Sequence, residues 1–160
     1  MFAATPPLEA LRMLISDAAT EQHKDKVIMI NDVARAFFEA PMKRMVCVEL
    51  PPEEKWGGRV SGDPPLPGGE QDEVGLLQMS LYGTRDAAVN FQKEVSRFMR
   101  GIGFKQGRYN PCTYYHCKQG LKTMVHGDDF ITSGQRVGTA WFREQLEKRF
   151  EIKTKVVGSS

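Results

Sequence analysis

Val125-His126-Gly127-Asp128-Asp129-Phe130 is the stretch on which the reading of this chain turns. β-Prone runs, Leu121 to Val125 and Phe130 to Thr132, flank a four-residue break, His126-Gly127-Asp128-Asp129. Adjacent carboxylates repel each other, and crowding raises a pKa unless a cation intervenes. Hard oxygen ligands of this kind suit Mg²⁺. Gly and Asp are also what ordinary turns use, so a polar hairpin turn accounts for the stretch equally well when it is taken alone.

Upstream, Thr113 to Cys117 and Leu121 to Val125 are two strands joined by Lys118-Gln119-Gly120, a hairpin pattern. Downstream, Phe142, Leu146 and Phe150 mark one side of a helix predicted from about Val137 to Arg149, and Glu151 to Val156 reads as a charged edge strand. Tyr82-Gly83-Thr84 breaks the chain before a helix predicted from about Arg85 to Arg100. Phe91, Val95, Phe98 and Ile102 form its buried face, and Gly101 and Gly103 end it. Val27 to Ile30 suits a buried strand and runs into Asn31-Asp32, while Val46 to Val48 and Val74 to Met79 are further strands. Pro6-Pro7 opens a helix striped by Leu8, Leu11, Leu14, Ile15 and Ala18. Residues 51–73 are rich in Pro, Gly and acidic residues and are expected to form a mobile loop insert. This order predicts an α+β layer, a mostly antiparallel sheet with helices packed on one face.

The 160 residues are one domain in length, and a net charge of +2 is compatible with nucleic-acid binding without arguing for it. Three cysteines, an odd number, and no apolar run of membrane length point to a reducing intracellular setting without a membrane partner. Cys112, His116 and Cys117 are poorly spaced for zinc, and a core or turn role suits them better. Lys93, Arg97 and Arg100 share a helix side opposite the apolar stripe; a solvated face explains them better than a phosphate track. His126 is expected to be a hairpin residue satisfied by backbone.

Asp32 changes the weight of the aspartate pair. It closes a second apolar strand 96 positions before Asp128. If the two strands are neighbours, three carboxylates meet at one spot, an arrangement able to hold two metal ions about 4 Å apart. Phosphoryl transfer is mostly positioning and charge stabilisation, so little more is required. For Asp32 alone, a plain strand-end residue is the commoner meaning.

Several motifs in order then make the chain recognisable. They are Asp32-Val33-Ala34-Arg35-Ala36-Phe37-Phe38, Val46-Cys47-Val48-Glu49-Leu50-Pro51-Pro52, Ser80-Leu81-Tyr82-Gly83, Gly103-Phe104 with Asn110-Pro111-Cys112-Thr113-Tyr114-Tyr115, His126-Gly127-Asp128-Asp129 and Phe150-Glu151-Ile152-Lys153. Together they resemble the reverse transcriptases of copia-type retrotransposons over nearly the whole chain. The resemblance implies a polymerase palm, with residues 1–160 as one partial reverse transcriptase domain carrying part of the fingers. It implies that Asp32, Asp128 and Asp129 are catalytic and hold two Mg²⁺ ions, with Mn²⁺ as an alternative. Phe37, Tyr82, Gly83 and Arg85 would contact substrate. The partners implied are a primed RNA or DNA template and deoxynucleoside triphosphates. The rest of the fingers, the thumb and an RNase H segment would belong to a longer polyprotein, located in cytoplasm, virus-like particles or nucleus.

Two rivals remain open. A glycine before the aspartate pair is also a habit of viral RNA-dependent RNA polymerases. Those carry a second aspartate five positions after the first, where a ribose 2′-OH is read; here that position is Phe37, whose ring favours deoxynucleotides. The other rival is a catalytically silent transposon remnant that at most binds nucleic acid. It draws on the departures: His126-Gly127 in place of Tyr-Val, Thr84-Arg85-Asp86-Ala87-Ala88 in place of Leu-Lys-Gln-Ala-Pro, and Phe91 in place of a tryptophan.

Overall fold

A computed structural model describes residues 3–20, 25–51 and 74–158 of the chain. Apart from Pro51, the expected loop insert lies outside the described residues. Helix α1 spans Leu8–Ala19 and strand β1 Lys26–Val33, followed by a single 3-10 turn at Ala36–Glu39. Strands β2 (Cys47–Glu49) and β3 (Val74–Leu76) precede helix α2 (Ala87–Gly101) and strand β4 (Lys105–Gln106). Strands β5 (Thr113–His116), β6 (Leu121–His126) and β7 (Asp129–Gln135) lead into helix α3 (Arg136–Glu147) and strand β8 (Ile152–Val157).

Six strands form one sheet in the order β4-β5-β6-β7-β1-β8, and β2 pairs only with β3. Every pairing among the described strands is antiparallel, and β8 is an edge strand, as its charge pattern predicts. The fold is therefore α+β with an antiparallel sheet.

Strand β1 is not the uniformly buried run its composition suggests. Its residues alternate between buried and half-buried, because the strand divides two unlike faces. Val27, Met29, Asn31 and Val33 are the buried set. Met29 and Val33 join Val125, Phe130, Phe91, Val95, Met99, Phe142, Leu146 and Phe150 in the main core, so α2 and α3 cover this face. Two glycines let the β7–α3 corner close on β6: a Cβ at Gly134 would sit 2.4 Å from Leu121 Cδ2, and one at Gly138 would sit 3.0 Å from the Gln119 carbonyl.

The expectation of helices on one face alone is corrected by α1. Ala10 and Leu14 pack with Met124, and with half-buried Leu11 and Ile131, as a separate cluster on the opposite side of the sheet. Leu8 and Ile15 of the expected stripe are instead exposed. The physical reason is polar as much as apolar. Asp17, in the last turns of α1, accepts hydrogen bonds from Lys26 on β1, Lys122 on β6 and Ser133 on β7. Lys26 also reaches the Asp17 carbonyl at 3.2 Å, placing ammonium groups at the negative end of the helix dipole.

On α2 the buried face holds Ala87, Asn90, Phe91, Glu94, Val95 and Met99, so two polar residues join the apolar stripe. Asn90 Nδ2 donates to Ser80 Oγ at 3.1 Å, and Glu94 is forked by Arg97 at 2.7 and 2.8 Å. Arg100 donates to Gln106, which fits the solvated-face reading of the α2 cations.

Burial opposes ionisation of Asp17, but the bonds from Lys122, Ser133 and Lys26 outweigh it and hold its carboxyl down at about 2. Its contribution to stability is therefore present above pH 4 and is lost as pH falls towards 2. Asp17→Asn is expected to cost about 1–2 kcal/mol at pH 7. The gap between mutant and wild type in urea unfolding should narrow below pH 4. A gap independent of pH would show that the Asp17 charge does not hold α1 to the sheet.

Candidate metal centre

Antiparallel register builds the site. Asp32 near the end of β1 lies directly opposite Asp129 at the start of β7, and Asp129 lies opposite His126 at the end of β6. On the other side Asp32 lies opposite Lys153 of β8. Residues directly opposite in such a ladder project to the same face. His126, Asp129, Asp32 and Lys153 thus form one row across four strands. That face is the one opposite α2 and α3.

Gly127 and Asp128 are the two residues of the β6–β7 turn. Gly127 has φ +62°, while Asp128 does not have positive φ. A glycine with positive φ followed by a residue with negative φ is the type II′ pattern, whose twist matches that of the flanking strands. A Tyr-Val sequence would place a β-branched side chain at the position where this turn needs positive φ, which explains the glycine here. The Asp128 carbonyl accepts the Val33 N–H at 3.0 Å, so the turn is fastened to the end of β1.

Asp32, Asp128 and Asp129 each offer a carboxylate oxygen within 4.8 Å of the other two. All three side chains are partly open to solvent. Asp129 is a full member of the cluster, because it begins β7 rather than completing the turn. Burial, then the charges of Asp128 and Asp32, raise its pKa, and His126 acts the other way. His126 itself is exposed beside Asp129. The chemistry of the donor set, three hard oxygens within one ion's reach, fits a divalent cation such as Mg²⁺.

The other expected site residues gather separately. After β1, Arg35 adopts φ +53° and turns the chain into the 3-10 helix that carries Phe37. Phe37 is half-buried, its ring 4.3 Å from that of Tyr82 and 6.1 Å from that of Phe91. Tyr82 is exposed and also faces Phe38 at 6.1 Å. Gly83 has φ +87° with open space where a side chain would project. Arg85 is exposed and makes no ion pair among the described residues.

Cys112, His116 and Cys117 make no metal site. Cys112 is buried, Cys117 is exposed, and buried His116 bonds backbone through both ring nitrogens. Gln119 N–H donates to its Nδ1, which leaves Nε2 to donate to the Ile102 carbonyl.

Composition does not announce several residues that support the site. Arg35 pairs with Glu151 at 2.8 Å, and Ala34 N–H donates to the Glu151 carbonyl, clamping the segment after Asp32 to the start of β8. Arg149 pairs with Glu39 at 2.6 Å. Asn31 is fully buried beneath Asp32 and donates to Thr154 at 2.8 Å, while its Oδ1 has no hydrogen-bond partner among the described residues. Only strand register could have paired these positions, which stand more than 100 residues apart.

No protein-family model matches the chain, and no curated protein matches it. Among the described residues, no helix is long and apolar enough to cross a membrane.

Asp32→Asn and Asp128→Asn are each expected to weaken Mn²⁺ binding by at least the roughly tenfold loss that removing a supporting outer group brings. Free Mn²⁺ measured by electron paramagnetic resonance gives the affinity, and circular dichroism checks the fold. Unchanged affinity in both variants would mean that these carboxylates do not share an ion.

Proposed function

We propose that this chain is the palm of an RNA-directed DNA polymerase of the copia-like retrotransposon class. One observation carries the reading: carboxylates 96 positions apart in sequence, Asp32 and Asp128, meet with Asp129 at the end of one antiparallel sheet. The ordered motifs of the sequence supply the polymerase class. Asp32, Asp128 and Asp129 are the residues that would hold two Mg²⁺ ions. Bound there, the ions supply activation of a primer 3′-hydroxyl and neutralisation of the departing pyrophosphate.

The chain's own part is placement. Backbone bonds from Val33 to Asp128 and from Ala34 to Glu151 set the β1 exit and the β6–β7 turn in one rigid frame. Reaction geometry tolerates little error, since misplacement by about 1 Å can cost about 10²-fold. Phe37 is assigned the role of sugar filter. Its ring packs against those of Tyr82 and Phe91, which supports a fixed edge that a 2′-hydroxyl would meet. The apolar ring at this position, packed with those of Tyr82 and Phe91, favours the deoxynucleotide reading over RNA-dependent RNA synthesis. The intact carboxylate cluster favours an active palm over a silent remnant.

With fingers and thumb supplied in a longer polypeptide, Asp128→Asn is expected to abolish primer extension on an RNA template while leaving the fold intact. Extension at the wild-type rate would remove the metal assignment. In the same assay Phe37→Ala should raise the ratio of ribonucleotide to deoxynucleotide incorporation. An unchanged ratio would reduce Phe37 to a packing residue. The 160-residue chain alone should extend a primer poorly or not at all, because a palm cannot by itself clamp primer, template and triphosphate.

A further inference from the structure

Edge strand β8 brings two cations to the carboxylate face that the catalytic reading leaves without a task. Along Ile152–Val157, Ile152 and Thr154 are half-buried, whereas Lys153 and Lys155 are exposed. The register sets Lys153 opposite Asp32 and Lys155 opposite Ile30, so both project on the side of the aspartates. Other cations of the sheet and its turns are engaged: Lys26 and Lys122 by Asp17, Arg35 by Glu151 and Arg149 by Glu39. Lys153 and Lys155 have no ion-pair or hydrogen-bond partner among the described residues, although Lys153 neighbours the acidic cluster.

We propose that Lys153 and Lys155 form a phosphate track along the edge of the sheet, holding the backbone of the nucleic-acid strand whose end enters the carboxylate site. This rests on the polymerase reading above. A strand of nucleic acid approaching three carboxylates carries negative charge into a negative field. Ions at the carboxylates can neutralise the reacting phosphate, but the phosphates behind it need cations of their own. Lys153 stands one strand away from Asp32, and Lys155 follows about 6.6–6.8 Å further along the strand. Two cations in a line leading away from the carboxylates suit a linear phosphodiester. A free triphosphate calls for donors converging on one point, which this edge does not offer. Lysine serves such a track as a point charge that grips backbone without reading sequence.

The track is a binding surface, so the test reads binding and not catalysis. A fluorescent DNA primer annealed to an RNA template is titrated with the 160-residue chain in Ca²⁺ buffer from 50 to 200 mM KCl, following anisotropy. Lys153→Gln and Lys155→Gln should each weaken binding several-fold at low salt. Each should also lower the slope of log affinity against log salt by about 0.7–0.9. Lys118→Gln, in the β5–β6 turn at the far end of the sheet from His126, is the control and should change neither. Tb³⁺ luminescence titrations should show the carboxylate site unimpaired in every lysine variant. Wild-type binding that ignores Lys153 and Lys155, or falls equally in Lys118→Gln, overturns the track and leaves the polymerase reading standing. Loss confined to deoxynucleoside triphosphate binding, with primer–template binding intact, assigns the lysines to the triphosphate and also overturns it. If the wild-type chain binds Tb³⁺ but no primer–template even at 50 mM KCl, the track is overturned, whereas the polymerase reading stands or falls on primer extension by the longer polypeptide.

Discussion

The register of β1 between β7 and β8 is the constraint on which the rest of the structure depends. Side chains on a strand alternate with a period of two, so a slip of one residue would exchange the faces completely. In the observed register Val27, Met29, Asn31 and Val33 enter the core, and Asp32 stands opposite Asp129. Slipped by one, Asp32 would enter the face covered by α2 and α3, and Met29 would move to the half-buried face. The hydrophobic gain of one face therefore fixes the geometry of the other. The acidic cluster on one face is held in place by the apolar core on the other.

Two polar devices finish what the apolar alternation begins. Asp17 draws together Lys26, Lys122 and Ser133 from three strands and seats α1 on the carboxylate face without covering its acidic end. At that end, the Asp128 carbonyl and Val33 N–H join the hairpin turn to β1, and the Arg35–Glu151 pair joins the segment after β1 to β8. Surface pairs such as Arg35–Glu151 are worth about 0–1 kcal/mol. Their use lies in limiting where the 3-10 turn and Phe37 can go, more than in stability.

Much of this was legible in the residues. The β5–β6 hairpin, both core helices and the edge character of β8 followed from apolar spacing and turn chemistry, whereas the meeting of Asp32 with Asp128 hung on their strands being neighbours, which the pairing of β1 with β7 supplies. The sidedness of α1 did not follow. Leu8, Leu11, Leu14, Ile15 and Ala18 mark a helical stripe, but a stripe does not say which face of a sheet it will cover. Asp17, which anchors that helix, looks like any helical acid until its three partners are known. Strand β4 is two residues long and exists only through β5. Buried Asn31, Asn90 and Glu94 were invisible because polar residues are read as surface when their partners lie on other elements.

The row His126, Asp129, Asp32, Lys153 also explains how a sheet tolerates its own acidic end. Like charges directly opposite each other on neighbouring strands are destabilising. Asp129 and Asp32 are such a pair, with Asp128 adding a third charge at the turn. Three features keep the cost bearable. The pair lies at the end of a seven-position ladder whose other positions carry no such conflict. Its side chains reach solvent, where the effective dielectric is high and repulsion is weak. The flanking positions are basic or protonatable, His126 on one side and Lys153 on the other. Moving the same three carboxylates to the middle of the ladder would strand them against α1 and the main core. Placing them at the rim keeps them open to solvent and within one ion's reach, and it leaves Lys153 and Lys155 of the edge strand exposed beside them.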